Sequence, residues 1–211
     1  MSRARRRLGL ALVASGTLLA GAAGTTWARG ALAREQVRAE WDARLARAAR
    51  LRAGEVASSG QPLGERVPGI PVARLVIPSI GLDEVVVEGV GDEELNAGPG
   101  LLPISVAPGE RGNAVISAHR DRHFNRLGAL AVGDTIRTET LRGVQRWVVV
   151  SRQVVHRDRR AIADHGRTEL TLTTCWPIRY FGPAPERLIV AAQPVSTPEF
   201  SRATGERPAG S

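Results

Sequence analysis

A series of short β-branched runs begins after Gly69 and constrains the fold more than any other feature of this chain. Runs rich in Val, Ile and Thr that are bounded by Gly, Pro, Asn or Asp are typical of β-strands. The runs cover residues 72–77, 84–88, 113–117, 135–140, 147–155, 169–174 and 188–192. Their spacing predicts a mainly β domain, a barrel or sandwich of roughly seven or eight strands. Short helical segments are expected at residues 92–96, 122–130 and 160–164.

The N-terminus combines a basic start with an uncharged run. Residues 1–7 carry Arg3, Arg5, Arg6 and Arg7, and residues 8–28 contain no charged side chain. About 20 uncharged residues can cross a bilayer as a helix, and they exceed the apolar core of a typical signal peptide. We therefore predict a transmembrane anchor over 8–28, with a signal peptide cleaved after residue 28 as the alternative. Arginines on both sides of the run leave its orientation open.

Residues 29–69 are expected to form an amphipathic helix followed by a linker. Val37, Trp41, Leu45 and Ala48 recur at helical spacing, and the Gly, Ser and Pro content rises from residue 54 onward. The simplest role for this segment is a spacer that holds a folded domain, residues 70–195, away from a membrane. The polar tail at residues 196–211 is expected to be flexible.

The distribution of charge argues against a nucleic-acid-binding protein. The chain has a formal net charge of +8, but 11 arginines and three acidic residues precede Gly54, whereas 18 arginines and 18 acidic residues follow it. The folded domain is therefore neutral, and a phosphate-binding face needs a basic patch on the folded module itself. A single cysteine also excludes an intramolecular disulfide and a multi-cysteine metal site.

That single cysteine, Cys175, is a candidate nucleophile. It ends the run from Glu169, and Pro177, Gly182 and further prolines follow almost at once. Alternation along the run puts Leu170, Leu172 and Thr174 on one face, and Thr171, Thr173 and Cys175 on the other. If the leucines face the core, the thiol points toward a polar groove at a strand end. The alternative is a buried cysteine that packs as a small apolar residue.

A cysteine nucleophile needs a proton acceptor and a group that stabilises the developing oxyanion. His119 ends the run from Asn113, again at a strand terminus, so it is the preferred base. His123, His156 and His165 lie in polar or charged contexts and are expected to be exposed. Arg187 opens the run that follows the Cys175 loop, which places a guanidinium near the thiol. A surface ion pair with Glu186 or Glu169 is the alternative for that arginine.

Taken together, these residues resemble a known family. The order His119-Arg, then Thr171-Leu-Thr-Thr-Cys175, then Arg187-Leu-Ile-Val is similar to the catalytic signature of the sortases, and Cys175-Trp-Pro with Gly182-Pro-Ala-Pro-Glu is most like the class D branch. The resemblance covers residues 71–194. It implies an eight-stranded sortase β-barrel in which Cys175, His119 and Arg187 are catalytic. Thr173, Thr174 and Trp176, beside the cysteine, are expected to contact substrate.

The resemblance also implies a reaction and its partners. Cys175 would cleave an LPxTG-like sorting signal of an exported protein after Thr, and the thioacyl enzyme would pass the acyl group to an amine, in a cell-wall precursor or a pilin-type lysine. The domain would then lie on the extracytoplasmic side of the cell membrane, held by a single span. No cofactor is implied, and acidic residues with calcium-site spacing are lacking, so no metal is expected.

Three positions depart from the family pattern, and two alternatives stay open. Ala118 stands where relatives commonly have Gly, Trp176 where they have Tyr, and Glu186 where they have Lys. Glu186 would weaken the pull of Arg187 on substrate, and Trp176 would narrow the groove. The alternative functions are an exported L,D-type transpeptidase acting on peptidoglycan, and a non-catalytic β-domain in which Cys175 is only packed.

Overall fold

The described part of the chain forms a closed β-barrel with one long helix on its outside. The computed structural model describes residues 3–53, 66–157 and 165–195. Its helices are α1 (Arg3–Arg52) and α2 (Asp92–Ala97). The strands of this part of the chain are β1 (Pro71–Ile77), β2 (Leu82–Glu88), β3 (Gly100–Leu101), β4 (Asn113–Ser117), β5 (Thr135–Thr140), β6 (Gly143–His156), β7 (Glu169–Trp176) and β8 (Glu186–Pro194).

The barrel closes in the order β1-β2-β3-β4-β7-β8-β6-β5. The predicted mainly β fold, in its eight-stranded barrel form, is confirmed. Seven runs were recognisable from sequence, but β3 was not, because two residues carry no periodicity. Parallel pairs join β4 to β7 and β2 to β3, and the other pairs are antiparallel. Parallel β4 and β7 therefore end at the same edge of the barrel, where antiparallel β8 begins.

The barrel interior is an apolar core that fixes which side of each strand faces outward. Leu75, Ile116, Trp147 and Leu172 are among its fully buried members. Trp147 satisfies its indole N–H by donating to the Thr138 hydroxyl at 2.9 Å, so this large side chain fills the core without an unmet polar group. A strand exposes alternate residues, so burial of one set directs the other outward.

Helix α1 is continuous from Arg3 to Arg52. In the described residues, no helix combines the length and the apolar character that a membrane crossing requires. The predicted transmembrane segment at residues 8–28 is thus not confirmed. Uncharged residues are not the same as apolar ones: Gly16, Gly21, Gly24, Thr25 and Thr26 dilute the hydropathy of this run.

The C-terminal part of α1 lies against the barrel. Its apolar stripe packs on the outside of β2, where Val37 and Trp41 contact Val85 and Val87. Trp41 is 1% exposed. Arg38 adds a hydrogen bond to the Asp83 carbonyl at 2.7 Å. The apolar partners on β2 are not visible in the helix sequence alone, and the role of residues 29–69 as a spacer from a membrane stays a prediction.

The short helices agree with the sequence in part. The segment predicted at 92–96 is α2, whereas residues 122–130 form successive turns and only one 3₁₀ turn, Leu127–Ala129. Bonds from Leu127 N to Phe124 O and from Ala129 N to Arg126 O span three residues, so an α-helix never forms there. The helix predicted at 160–164, residues 54–65 of the predicted linker and the tail at 196–211 lie outside the described residues.

Arg66 attaches the end of the linker to the barrel. Its guanidinium makes two hydrogen bonds of 2.9 Å to the Glu88 carboxylate, and it donates to the Ser105 carbonyl at 2.5 Å. The Glu88 side chain is 4% exposed. A buried carboxylate needs such a partner, so the linker ends in a fixed ion pair at residue 66.

Candidate active site

Cys175 lies at the end of β7 with an exposed, unpaired thiol. The predicted alternation of inward and outward side chains is seen along β7. Leu170 and Leu172 belong to the barrel core, and Cys175 faces outward. Thr171 and Thr173, which share the outward face of β7 with Cys175, are both buried. The exposed stretch of this face begins at the cysteine itself, so the alternative of a packed, inert Cys175 does not fit its exposure.

Arg187 is the cross-strand partner of Cys175. In the antiparallel pair of β7 with β8, Cys175 is opposite Arg187, and Arg187 is also opposite Val155 of β6. Directly opposed residues of an antiparallel pair point to the same face, with Cβ atoms about 4.5–5.5 Å apart. The guanidinium therefore emerges beside the thiol. Arg187 is exposed and forms no ion pair within the described residues, so the predicted alternative of pairing with Glu186 or Glu169 is not seen.

His119 reaches the same edge from the other side of β7. The parallel register of β4 and β7 aligns Ser117 with Thr173. It continues past the strand end, because Ala118 N donates to the Thr173 carbonyl at 3.2 Å. Two residues further on, the same register sets His119 level with Cys175. His119 is half-buried, and its carbonyl accepts hydrogen bonds from the Arg122 and Phe124 amides, so the turn that follows holds its backbone.

Thr174 links the two strand ends that carry the histidine and the cysteine. Its hydroxyl donates to the Ala118 carbonyl at 2.7 Å, and the residue is 1% exposed. Thr173 is 6% exposed and uses its carbonyl to accept from Ala118. Neither threonine offers an exposed hydroxyl, so a substrate contact through these side chains stays a prediction, and their visible contribution is to fix the strand ends.

Trp176 forms a wall beside the cysteine. The residue is half-buried against the core, and its ring lies over Gly128, where an added Cβ would be only 3.0 Å from the indole. Trp176, Ile178 and Gly128 line a largely apolar cavity of about 520 Å³. Cys175 does not line this cavity, so the narrowing of a substrate groove by Trp176 stays a prediction. Contact of the indole with substrate stays a prediction.

One of the remaining histidines corrects the sequence prediction. His156 and His165 are exposed as expected, and His165 lies 2.9 Å from Glu169. His123 was also expected to be exposed, but it is 4% exposed, with Nδ1 3.3 Å from a Glu84 carboxylate oxygen. Phe124 draws this turn into the core, and that packing buries His123 beneath α1.

Arg120 is the residue at this site that the sequence analysis did not select. It follows His119 directly, and its guanidinium donates to three backbone carbonyls of the loop between β7 and β8. The one available signal was adjacency to the histidine, and adjacency does not show where a long side chain reaches. Within the described residues, no group of three or more His, Cys, Asp or Glu side chains is arranged to hold a metal ion.

The site brings a thiol, an imidazole and a guanidinium to one barrel edge. Acyl transfer through a thioester requires a nucleophile, a base and a group that stabilises an oxyanion. A thiol, a neighbouring imidazole and a guanidinium on the adjacent strand can supply these three groups. Fold and site together define a β-barrel of the cysteine-nucleophile class. The sortase domain profile matches residues 75–195, more than half of the chain, so the protein belongs to the sortase family, a family of cysteine transpeptidases.

Individual relatives agree with this assignment. The chain is 37% identical to Sortase D of Bacillus subtilis (strain 168) over 124 residues, which are 58% of this chain and 63% of that relative, somewhat less than two thirds of its length. A Clostridium perfringens Sortase D5 transpeptidase superposes with a TM-score of 0.58 at 26% identity, covering 64% of this chain and 84% of that one. Sortase C of Clostridium perfringens, solved with the C-terminal cell wall sorting motif, gives a TM-score of 0.57 at 25% identity, covering 77% and 91%.

Proposed function

We propose that this protein cleaves an LPxTG-like sorting signal after Thr and transfers the new acyl end to an amine. The observation that carries the proposal is the convergence of Cys175, His119 and Arg187 from three adjacent strands onto one barrel edge. Sortase C of Clostridium perfringens, which shares this fold, was solved with a sorting motif. The similarity to a Sortase D supports a class D-like enzyme rather than an L,D-type transpeptidase.

The first half of the reaction forms a thioester. The Cys175 thiolate, formed when His119 takes the thiol proton, attacks the Thr carbonyl carbon. Negative charge develops on the carbonyl oxygen, where the exposed Arg187 guanidinium stabilises it. The C–N bond then breaks, and His119 donates a proton to the departing amine. The exposure of Cys175 matters here, because the peptide must reach the sulfur from outside the barrel.

The second half returns the enzyme to its starting state. An incoming amine attacks the thioester carbonyl and loses a proton to His119. A new amide forms, and the sulfur leaves as the thiolate of Cys175. The acceptor classes that we propose are a cell-wall precursor amine and a pilin-type lysine. Water in place of the amine would give simple hydrolysis.

We also propose that the domain acts outside the cytoplasm and is held at the cell membrane by the N-terminal region. The support is the family assignment together with the uncharged run at residues 8–28. Fractionation of cells that express the full chain tests this placement, with protease added to intact protoplasts. Recovery of the intact protein in the soluble cytoplasmic fraction would contradict it.

The activity test uses the full chain and a fluorogenic LPxTG peptide with triglycine as acceptor. We expect cleavage and a mass-spectrometric transfer product from the wild type. Cys175→Ala and His119→Ala should reduce cleavage by at least about 1,000-fold, and Arg187→Ala should reduce it by about 100-fold, the range for loss of one oxyanion donor. Arg146→Ala, at an exposed arginine of β6, is the matched control. Cleavage that survives in Cys175→Ala would rule out the mechanism.

A further inference from the structure

Residues 177–185 connect the cysteine strand to the arginine strand, and Arg120 holds this loop. The loop is described throughout and contains neither helix nor strand. The Arg120 guanidinium donates to the carbonyls of Pro177 at 3.3 Å, Tyr180 at 3.0 Å and Gly182 at 2.7 Å. It also lies over the Tyr180 ring, 5.7 Å from the centroid. One side chain thus contacts the start, the middle and the far part of the loop.

The three proposed catalytic residues do not depend on this loop for their own positions. Cys175 and Arg187 are paired in the ladder of β7 with β8, and His119 follows the register of β4 with β7. The loop at 177–185, in contrast, is not part of any strand and so is not held by strand-to-strand hydrogen bonds. Its tip exposes apolar side chains, with Phe181 fully exposed and Tyr180 48% exposed.

A guanidinium suits this task better than an ammonium. Its planar fork presents several N–H donors in fixed directions, whereas a lysine ammonium is a single point at the end of a flexible stem. The acceptors are backbone carbonyls, so the hold does not depend on which side chains the loop carries. The apolar tip can therefore serve substrate contact while Arg120 fixes the backbone beneath it.

We propose that Arg120 is a positioning residue that pre-forms the loop at 177–185 as part of the peptide-binding surface. This role rests on the proposed transpeptidase function. A pre-formed loop removes an ordering cost that would otherwise be met when the peptide binds. Loss of Arg120 should therefore weaken peptide binding, while the thiol, the imidazole and the Arg187 guanidinium remain in place for the chemical step.

The kinetic test compares Arg120→Ala and Arg120→Lys with the wild type on the LPxTG peptide. For Arg120→Ala we expect KM to rise by about tenfold, with kcat changed by less than about threefold, the pattern of lost binding rather than lost chemistry. Arg120→Lys should keep a raised KM, because one ammonium does not reproduce the fork. A fall in kcat with unchanged KM, or full restoration of KM by lysine, would contradict the proposal.

Limited proteolysis of the free full-length protein tests the same role without any activity. In both variants, chymotrypsin should cleave after Tyr180 or Phe181 about tenfold faster than in the wild type, with β4 and β7 still uncleaved. Arg146→Ala should leave the loop unchanged. An unchanged rate of proteolysis in the loop of Arg120→Ala contradicts the role of Arg120, whereas a wild-type protein that cleaves no sorting peptide contradicts the proposed function instead. The two failures are therefore distinguishable.

Discussion

The Thr174 hydroxyl donates a 2.7 Å hydrogen bond to the carbonyl of Ala118, the residue that precedes His119. Thr174 itself precedes Cys175, so this one bond joins the strand end of the acid–base group to the strand end of the nucleophile. Both partners are buried, at 1% and 4% exposure. The alignment of the imidazole with the thiol therefore depends on a hydrogen bond that is buried from solvent.

Thr174→Val should lower both stability and the rate of the chemical step. The substitution keeps the shape and removes the hydroxyl, which leaves the buried Ala118 carbonyl without this donor at a cost of about 1–2 kcal/mol. Misplacement of the strand end should reduce kcat by about tenfold. The measurements are urea unfolding and kcat on the LPxTG peptide.

Thr171→Val is the matched control for that substitution. Thr171 lies on the same strand and donates to the Asn113 side-chain oxygen at 2.9 Å, at the end of the strand pair away from the site. It should lose a similar amount of stability but keep kcat. Equal losses of kcat in both valine variants would mean that general destabilisation, and not strand-end alignment, explains the effect.

Gly128→Ala should disturb the tryptophan beside the cysteine. The added Cβ would lie 3.0 Å from the Trp176 ring and 3.3 Å from Ile178, closer than ordinary contact allows. Overpacking of this kind costs about 1–3 kcal/mol, and the displaced indole should change peptide cleavage severalfold. Thermal unfolding and KM for the peptide are the measurements.

A second substitution shows whether that clash is the cause. Trp176→Phe shortens the aromatic system that meets the new methyl, so the double variant Gly128→Ala, Trp176→Phe should be more stable than the sum of the single effects predicts. Strict additivity of the two free-energy changes would contradict contact between these two positions.

Arg66→Ala should destabilise the fold far more than Arg74→Ala. Both arginines make two hydrogen bonds to one carboxylate, Arg66 to Glu88 and Arg74 to Asp83. The Glu88 side chain is 4% exposed, whereas that of Asp83 is 47% exposed. An uncompensated buried charge costs about 3 kcal/mol or more, and an exposed pair contributes at most about 1 kcal/mol. Equal shifts of the urea midpoint would contradict this ranking.

The Asp83 pair should add a small acid-sensitive component to stability. The hydrogen bond from Arg74 lowers the pKa of the Asp83 carboxyl, against an opposing effect of burial. The contribution is therefore complete above the unfolded-state pKa of about 3.9 and is lost as the pH falls through the lower folded-state pKa. The pair is well exposed, so the size is below about 1 kcal/mol.

Urea midpoints of the wild type and Asp83→Asn between about pH 2 and pH 6 measure that component. The difference in stability between the two proteins should shrink as the pH falls through the acid range. A difference that stays constant down to the lowest pH would show that the ionised Asp83 carboxylate does not contribute.

Local sequence patterns were sufficient to predict those features that depend on a single strand. The β-branched runs predicted seven of the strands, the alternation from Glu169 predicted that Leu170 and Leu172 face the barrel core, and strand-end positions selected His119, Cys175 and Arg187. The two-residue strand β3 and the turns around Leu127 were missed, because such short elements are fixed by contacts with the barrel rather than by periodicity.

By itself, the sequence determined the β-rich class of the fold, the amphipathic stripe of α1 and the three residues with the chemistry for acyl transfer. Only the tertiary structure decided that this stripe packs on β2, that His123 is buried, and that Arg120 holds the loop between β7 and β8. The physical reason is distance along the chain. Patterns record which side chains prefer burial, but a partner 57 to 62 residues away, as for Arg120, is chosen by how strands align in the closed barrel.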